Sequence, residues 1–183
     1  MPTTPRYALR YPASSDAPNG PTQLQNLATD VEGWLSPPVA ELYTNAVQSV
    51  PNATWTSMTL NAEGIDTHNA HSTASNTSRF VAPTGWGGIY QVSGQSYLVQ
   101  IGDGVMAVRL AKNGVPVRGS IVRVRGAGSG DTDRGLSTAA HFIQLNAGDY
   151  VEVQSFHTRG VAADTFTNDE YGPSLSVCWV RAA

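Results

Sequence analysis

Ser78-Arg79-Phe80-Val81-Ala82-Pro83-Thr84-Gly85-Trp86-Gly87-Gly88-Ile89-Tyr90-Gln91-Val92 reads as two strand-like runs that meet around a turn of Pro83, Gly85, Gly87 and Gly88. In extended backbone Phe80 and Ala82 fall on one face and Arg79 and Val81 on the other. Beyond the turn Tyr90 and Val92 alternate with Ile89 and Gln91. Glycine carries no Cβ, so three glycines beside Trp86 permit positive φ and a close pass of the backbone against other strands. The stretch predicts a β architecture with a tight strand crossing.

Outward from this turn, short runs of the same kind recur at regular spacing. Strands are expected at residues 40–50, 53–60, 78–81, 88–99, 105–112, 120–124, 139–145, 150–157 and 175–181. Asn113-Gly114 marks a hairpin. Val151 and Val153 alternate with Glu152 and Gln154, and Leu175, Val177 and Trp179 with Ser176 and Cys178, as in strands whose two faces are differently solvated. About nine antiparallel strands predict a sandwich.

The composition fits one β domain with an appendage. Of 183 residues, 40% are hydrophobic, enough for a core, and 18 Gly with 11 Pro imply many turns. Only 14% are charged and the net charge is −3, so there is no basic field for a nucleic-acid backbone or an acidic membrane surface. Met1-Pro2-Thr3-Thr4-Pro5 lacks a basic and then apolar leader, and no run approaches the roughly 18 apolar residues that span a bilayer. The one cysteine, Cys178, sits in the apolar run 175–180 and is expected to be an inert core residue. Asn52 and Asn76 match the glycan-acceptor pattern but are expected to be ordinary loop residues.

Residues 1–20 are too poor in apolar side chains to bury themselves. Their large side chains are Tyr7, Leu9, Arg10 and Tyr11, and Pro5 and Pro12 favour extended backbone on either side. The alternatives are a disordered tail and an extended arm docked on another protein through Arg6, Tyr7, Leu9, Arg10 and Tyr11, since aromatic and arginine side chains anchor such contacts. Residues 21–36 form the clear helix, opened by Pro21 and a Thr22/Gln25 capping box and stopped by Pro37-Pro38. Leu24, Leu27, Val31 and Trp34 share one stripe, with Gln25, Asn26, Asp30 and Glu32 directed away. A helix of about fifteen residues is marginal in water, so the stripe must pack on its own β domain, on a neighbouring protein, or on copies of itself. The β domain spans residues 38–183.

Two resemblances rest on these residues. Arg79 to Pro83, Gly88-Ile89-Tyr90, Arg109 to Gly114 and Ile143 to Val153, followed by a final strand at 173–180, resemble in order the landmark strands of the complement globular-head and tumour necrosis factor superfamily. The resemblance covers about residues 38 to 183 and implies an antiparallel jelly roll that assembles as a compact homotrimer. The loops 61–76 and 126–135 depart from it, so it carries over no ligand site. Pro5 to Pro12, Asp16-Ala17-Pro18 and Gln25 to Val31 resemble the opening of minor tail and fibre proteins of actinobacterial phages. Ten Arg against the lone Lys112 agree with such a host. This second resemblance implies a virion protein, assembled in the host cytoplasm and exposed on the particle as a tail fibre or, alternatively, a head fibre or capsid decoration. The alternative outside phage is a trimeric binding module.

Catalytic chemistry is not expected. His68 and His71 have a metal-ligand spacing but lie in a Ser/Thr/Asn-rich stretch with no completing acid or cysteine, unless symmetry copies supply ligands. Asp131 and Asp133 have only part of a calcium series. Asp169 and Glu170 are adjacent and point opposite ways in extended backbone, and no strained turn presents a serine nucleophile. No cofactor is expected. Ligand recognition is expected in the polar loops 61–76, 126–135 and 160–172, where Trp86 and Tyr171 could stack on a host-surface glycan.

Overall fold

A computed structural model describes residues 1–99, 102–126, 133–168 and 170–183. The chain divides into two compact units, residues 1–37 and residues 38–181.

The first unit is a hairpin laid on a helix. Asn19 caps α1 (Gly20–Leu35), its side chain accepting from the Thr22 N–H at 3.4 Å, with Pro21 in the first turn. Asn19 therefore takes the capping role expected of Thr22, three residues upstream, and Thr22 lies in the first turn of the helix. Residues 1–11 are folded back rather than extended. Thr3 and Arg10 form an antiparallel bridge, and Ala8 takes φ 51° to close the turn. The local cause is the Thr4 side chain, which accepts from the Leu9 N–H at 3.0 Å while the Thr4 carbonyl accepts from Ala8.

The second unit is a two-sheet antiparallel sandwich of β1 (Val39–Tyr43), β2 (Ser49–Val50), β3 (Thr56–Ser57), β4 (Ala62–Asp66), β5 (Phe80–Val81), β6 (Gly88–Val99), β7 (Val105–Lys112), β8 (Val115–Pro116), β9 (Val122–Arg125), β10 (Asp133–Ser137), β11 (His141–Leu145), β12 (Tyr150–His157), β13 (Ala163–Asp164) and β14 (Ser174–Arg181). One sheet runs β10-β6-β14-β1-β4, and the long β6 pairs with β11 along its first half and β10 along its second. Between them the Thr138 hydroxyl accepts from Gly94 N–H at 3.0 Å and bridges the bend. The other sheet runs β3-β12-β7-β8, with β5 also on β12 and β9 also on β7; β2 and β13 form a separate pair.

The opening stretch behaves as its pattern requires. Phe80, Ala82, Tyr90 and Val92 are buried while Val81 is exposed, and Phe80 and Tyr90 meet edge to face at 5.7 Å. Gly85 has φ 86°, and a Cβ on Gly88 would collide with the Arg181 carbonyl and the Trp179 indole. Gly87 has no such constraint. Asn113 and Gly114 both take positive φ in the β7–β8 hairpin, as the dipeptide predicts.

Four expectations need correction. Cys178 is exposed, because the core slots of β14 belong to Leu175, Val177 and Trp179 and Cys178 falls between them on the other face. Glu152 and Gln154 are buried as well as Val151 and Val153, because side chains from neighbouring strands and loops cover the outer face of β12. The stretch 61–76 is not a free loop but holds β4. Most of residues 53–60 is irregular, with Ala53 at φ 56° and only Thr56–Ser57 paired.

Candidate interaction surfaces

In the first unit the guanidinium of Arg10 grips Asp30 through Nε (3.0 Å) and Nη2 (2.7 Å), and its backbone N–H donates to the same carboxylate at 2.8 Å. The contact holds Asp30 below the usual carboxylate range and Arg10 above its ordinary value. The Tyr7 ring stands edge-on to Trp34 at 5.1 Å, and the Trp34 indole N–H donates to the Tyr7 carbonyl at 2.7 Å. Arg10, Tyr7 and Trp34 thus fasten the hairpin to the helix, and Asp30 faces the hairpin rather than solvent. Arg6 and Tyr11 are exposed and Leu9 is half-buried. Leu24, Leu27 and Val31 remain exposed (69%, 38% and 39%), as does Leu35. The helix therefore keeps an apolar stripe, with Trp34 at its edge and engaged by Tyr7 of the hairpin.

Two further apolar features lie on the sandwich. Phe142 of β11 and Val115 of β8 line one groove at the edge between the sheets and are 72% and 66% exposed. The outward face of the β6-β14-β1-β4 sheet is open, with a shallow hollow lined by Val39, Ile65, Gln91, Ser93 and Cys178.

At the loop end of that same face is a cleft of about 620 Å³ flanked by Tyr43 and Tyr171, with Glu41, Gln95 and Glu170 also lining it. Tyr171 rests on Tyr97 (5.1 Å) and Phe166 (6.2 Å), and the Asn168 side chain accepts from its N–H at 2.7 Å. The Tyr171 expectation thus lands in a cleft, with Tyr97 and Phe166 beneath it unmarked by any local motif. Trp86 is packing instead, edge-on to Trp179 at 5.2 Å and to His68 at 5.0 Å.

The histidines do not converge. His71 is buried, its Nδ1 2.7 Å from Glu63 and its Nε2 3.0 Å from the Thr77 carbonyl, while His68 Nδ1 meets the Thr67 hydroxyl. Asp66 accepts from the N–H groups of His68, Ala70 and His71, which ties down the loop after β4. Among the described residues no group of three or more His, Cys, Asp or Glu is placed to hold a metal. Asp131 and Asp169, and with them the Asp131/Asp133 and Asp169/Glu170 pairs, lie outside the described residues.

A third cluster covers β12. Glu152 accepts from Ser78 Oγ (2.7 Å), Ser57 Oγ (3.1 Å) and Arg79 Nε (3.2 Å). Arg79 lies over the Tyr150 ring, and Arg109, bonded to Gln154 at 2.8 Å, lies 3.9 Å over Trp55. Desolvation pulls the Arg109 guanidinium below its ordinary value, and burial pushes the Tyr90 hydroxyl up, its proton going to the Trp86 carbonyl at 2.6 Å. Asp149 is held down at about 2 by the side chains of Asn113 and Lys112 and the N–H of Asn146. Each of these shifts has burial or a hydrogen-bond partner as its cause.

Among the described residues no helix is long and apolar enough to cross a membrane. No protein-family model and no curated protein matches the sequence. Solved structures do. The globular domain of zebrafish complement 1qA protein is 14% identical, with 80% of this chain and 99% of that one covered and a TM-score of 0.53. Eiger TNF from S. frugiperda is 15% identical over 80% and 95%, TM-score 0.57. Murine APRIL at pH 5.0 is 14% identical over 79% and 99%, TM-score 0.54. At such identities the likeness shows the fold alone, and that fold is the antiparallel jelly roll of the complement 1q globular domain and tumour necrosis factor-type proteins.

Proposed function

We propose that this chain is a structural protein of a bacteriophage virion, a homotrimeric fibre or minor tail protein anchored by its first unit and displaying the jelly roll at the particle surface. The carrying observation is the set of apolar surfaces left uncovered within one chain. The edge at Phe142 and Val115 and the open hollow at Ile65 and Cys178 are different patches of one molecule, so a contact between them is heterologous, and a three-fold rotation closes it into a ring. The exposed Leu24-Leu27-Val31 stripe is the face that a short amphipathic helix needs to have covered in order to persist. The virion assignment is supported by the resemblance of residues 5–31 to phage tail proteins. Arg6, Leu9 and Tyr11, on a hairpin braced by Tyr7 and Arg10, are the side chains offered to the neighbouring virion protein. The role is binding and display, without catalysis.

Light scattering on the purified chain should give three times 19.4 kDa. Gold-labelled antibody should mark the tail of intact particles. A stable monomer removes the trimer, and absence of label from particles removes the virion assignment.

A further inference from the structure

We infer that the cleft between Tyr43 and Tyr171 is a carbohydrate subsite for a neutral or amino-bearing hexose. The inference deepens the reading above by naming a ligand class for the displayed head, and it needs only the jelly-roll unit. The two tyrosines are 42% and 44% exposed at opposite flanks of one cleft. Tyr171 is held from beneath by Tyr97 and Phe166 and through its backbone by Asn168, so its free face is fixed without any ligand. A rigid aromatic face offers the C–H side of a sugar ring apolar contact at little entropic cost.

The polar groups around it define the sugar. Among the described residues the Glu41 carboxylate and the Tyr43 and Tyr171 hydroxyls have no protein partner, so they are free to bond sugar hydroxyls. Gln95 is fixed in place, donating to the Gly172 carbonyl at 3.2 Å and accepting from Ser137 Oγ at 3.1 Å. A carboxylate accepts from two adjacent hydroxyls or from an ammonium group. The described lining contains Glu41 and Glu170 and no Lys or Arg, so an acidic sugar is repelled.

The test uses the purified chain with galactose, glucosamine and N-acetylneuraminic acid as probes, read by saturation-transfer and chemical-shift NMR. Galactose and glucosamine should perturb the Tyr43 and Tyr171 resonances, and N-acetylneuraminic acid should not. Tyr171→Ala should weaken binding about fivefold to tenfold, the loss of one ring stack, while Tyr171→Phe, which keeps the ring face and loses only the hydroxyl, should weaken it less. Glu41→Gln should weaken glucosamine more than galactose. An unchanged melting curve for Tyr171→Ala shows that the loss is local. Binding of neither galactose nor glucosamine, equal binding of the acidic sugar, or unchanged affinity in Tyr171→Ala each overturns the subsite. Antibody labelling of particles is independent of all three, so the virion reading stands or falls separately.

Discussion

Arg10 and Asp30, twenty residues apart, are joined by a two-pronged guanidinium–carboxylate contact and by a third bond from the Arg10 backbone to the same carboxylate. It makes the hairpin and the helix one object. Because the folded Asp30 titrates below its ordinary value of 3.8, its contribution is present above that pH and is lost as pH falls through the depressed value. Asp30→Asn should therefore free the hairpin at neutral pH, with faster tryptic cleavage after Arg6 and Arg10. Wild-type protein should show the same release only in acid, read by hydrogen exchange at residues 3–11. Equal protection in the variant would mean that Tyr7 on Trp34 holds the hairpin alone.

Gly88→Ala tests the crossing at the head of β6. The added methyl meets the Arg181 carbonyl and the Trp179 indole of the adjacent β14, and the carbonyl, being backbone, cannot move without disturbing the strand. A loss of about 3 kcal/mol is expected from overpacking, while Gly87→Ala, with no atom closer than 3.6 Å, should lie within about 1 kcal/mol of wild type. Denaturant midpoints of the two variants measure the contrast.

That crossing was legible because glycine and alternation are local signals. The alternation at Phe80, Tyr90 and Val177 placed each on its buried face, and Asn113-Gly114 placed its hairpin. By the same rule Cys178 belonged outside; the apolar neighbours that made it look like core were its exposed face and the core slots taken together. What covers the outer face of β12 was not legible. Ser57, Ser78, Arg79 and Arg109 reach Glu152 and Gln154 from segments far along the chain, and no periodicity records such contacts. The Tyr43–Tyr171 cleft was half legible. Its loop and Tyr171 stood out by composition, whereas Glu41, Tyr43 and Gln95 come from strands whose register only the fold sets. The arm's fold hid in a single threonine and a single ion pair, neither of which outweighs three prolines when sequence alone is read.

Glu152 is the hub of the covered face, with a side chain only 6% exposed and three donors aimed at it. Glu152→Ala should cost about 2 kcal/mol, since two hydroxyls and a guanidinium lose their acceptor but Arg79 is still reachable by water. Glu152→Gln should recover part of it by keeping an acceptor. Thermal melts of the pair decide; an Ala variant as stable as wild type would show that the hydroxyls re-pair elsewhere.

Asp149 gives the sandwich an acid-sensitive hairpin. Its carboxylate accepts from Asn113 at 2.7 Å and from the Asn146 N–H at 2.8 Å and sits 2.9 Å from Lys112, and its value falls to about 2. The folded value lies below the unfolded 3.8, so the contribution is full above about pH 4 and vanishes as pH falls through about 2. Solvent reaches this group, so we expect about 1 kcal/mol. Asp149→Asn should lower the melting temperature at pH 7, and the gap to wild type should close between pH 4 and pH 2. A constant gap across that range would assign the effect to the hydrogen bonds alone.

The edge of the sandwich bears on assembly directly. Phe142 is 72% exposed and Val115 66% exposed, so neither contributes much to the fold of a single chain, and a charge at either position is solvated in a monomer. In a ring closed by this edge on the open sheet face of the next copy, the same charge is buried without a partner, at a cost of several kcal/mol per contact repeated three times. Phe142→Asp and Val115→Asp should therefore change assembly and not folding. Light scattering should give 19.4 kDa for the variants against three times that for wild type, with the far-ultraviolet circular dichroism of the β domain unchanged. Ile121→Asp, also on an exposed apolar side chain but outside that groove, is the control and should remain trimeric. Were both edge variants to stay trimeric, the helix stripe at Leu24, Leu27 and Val31 would hold the copies together, and Leu27→Asp would then separate them.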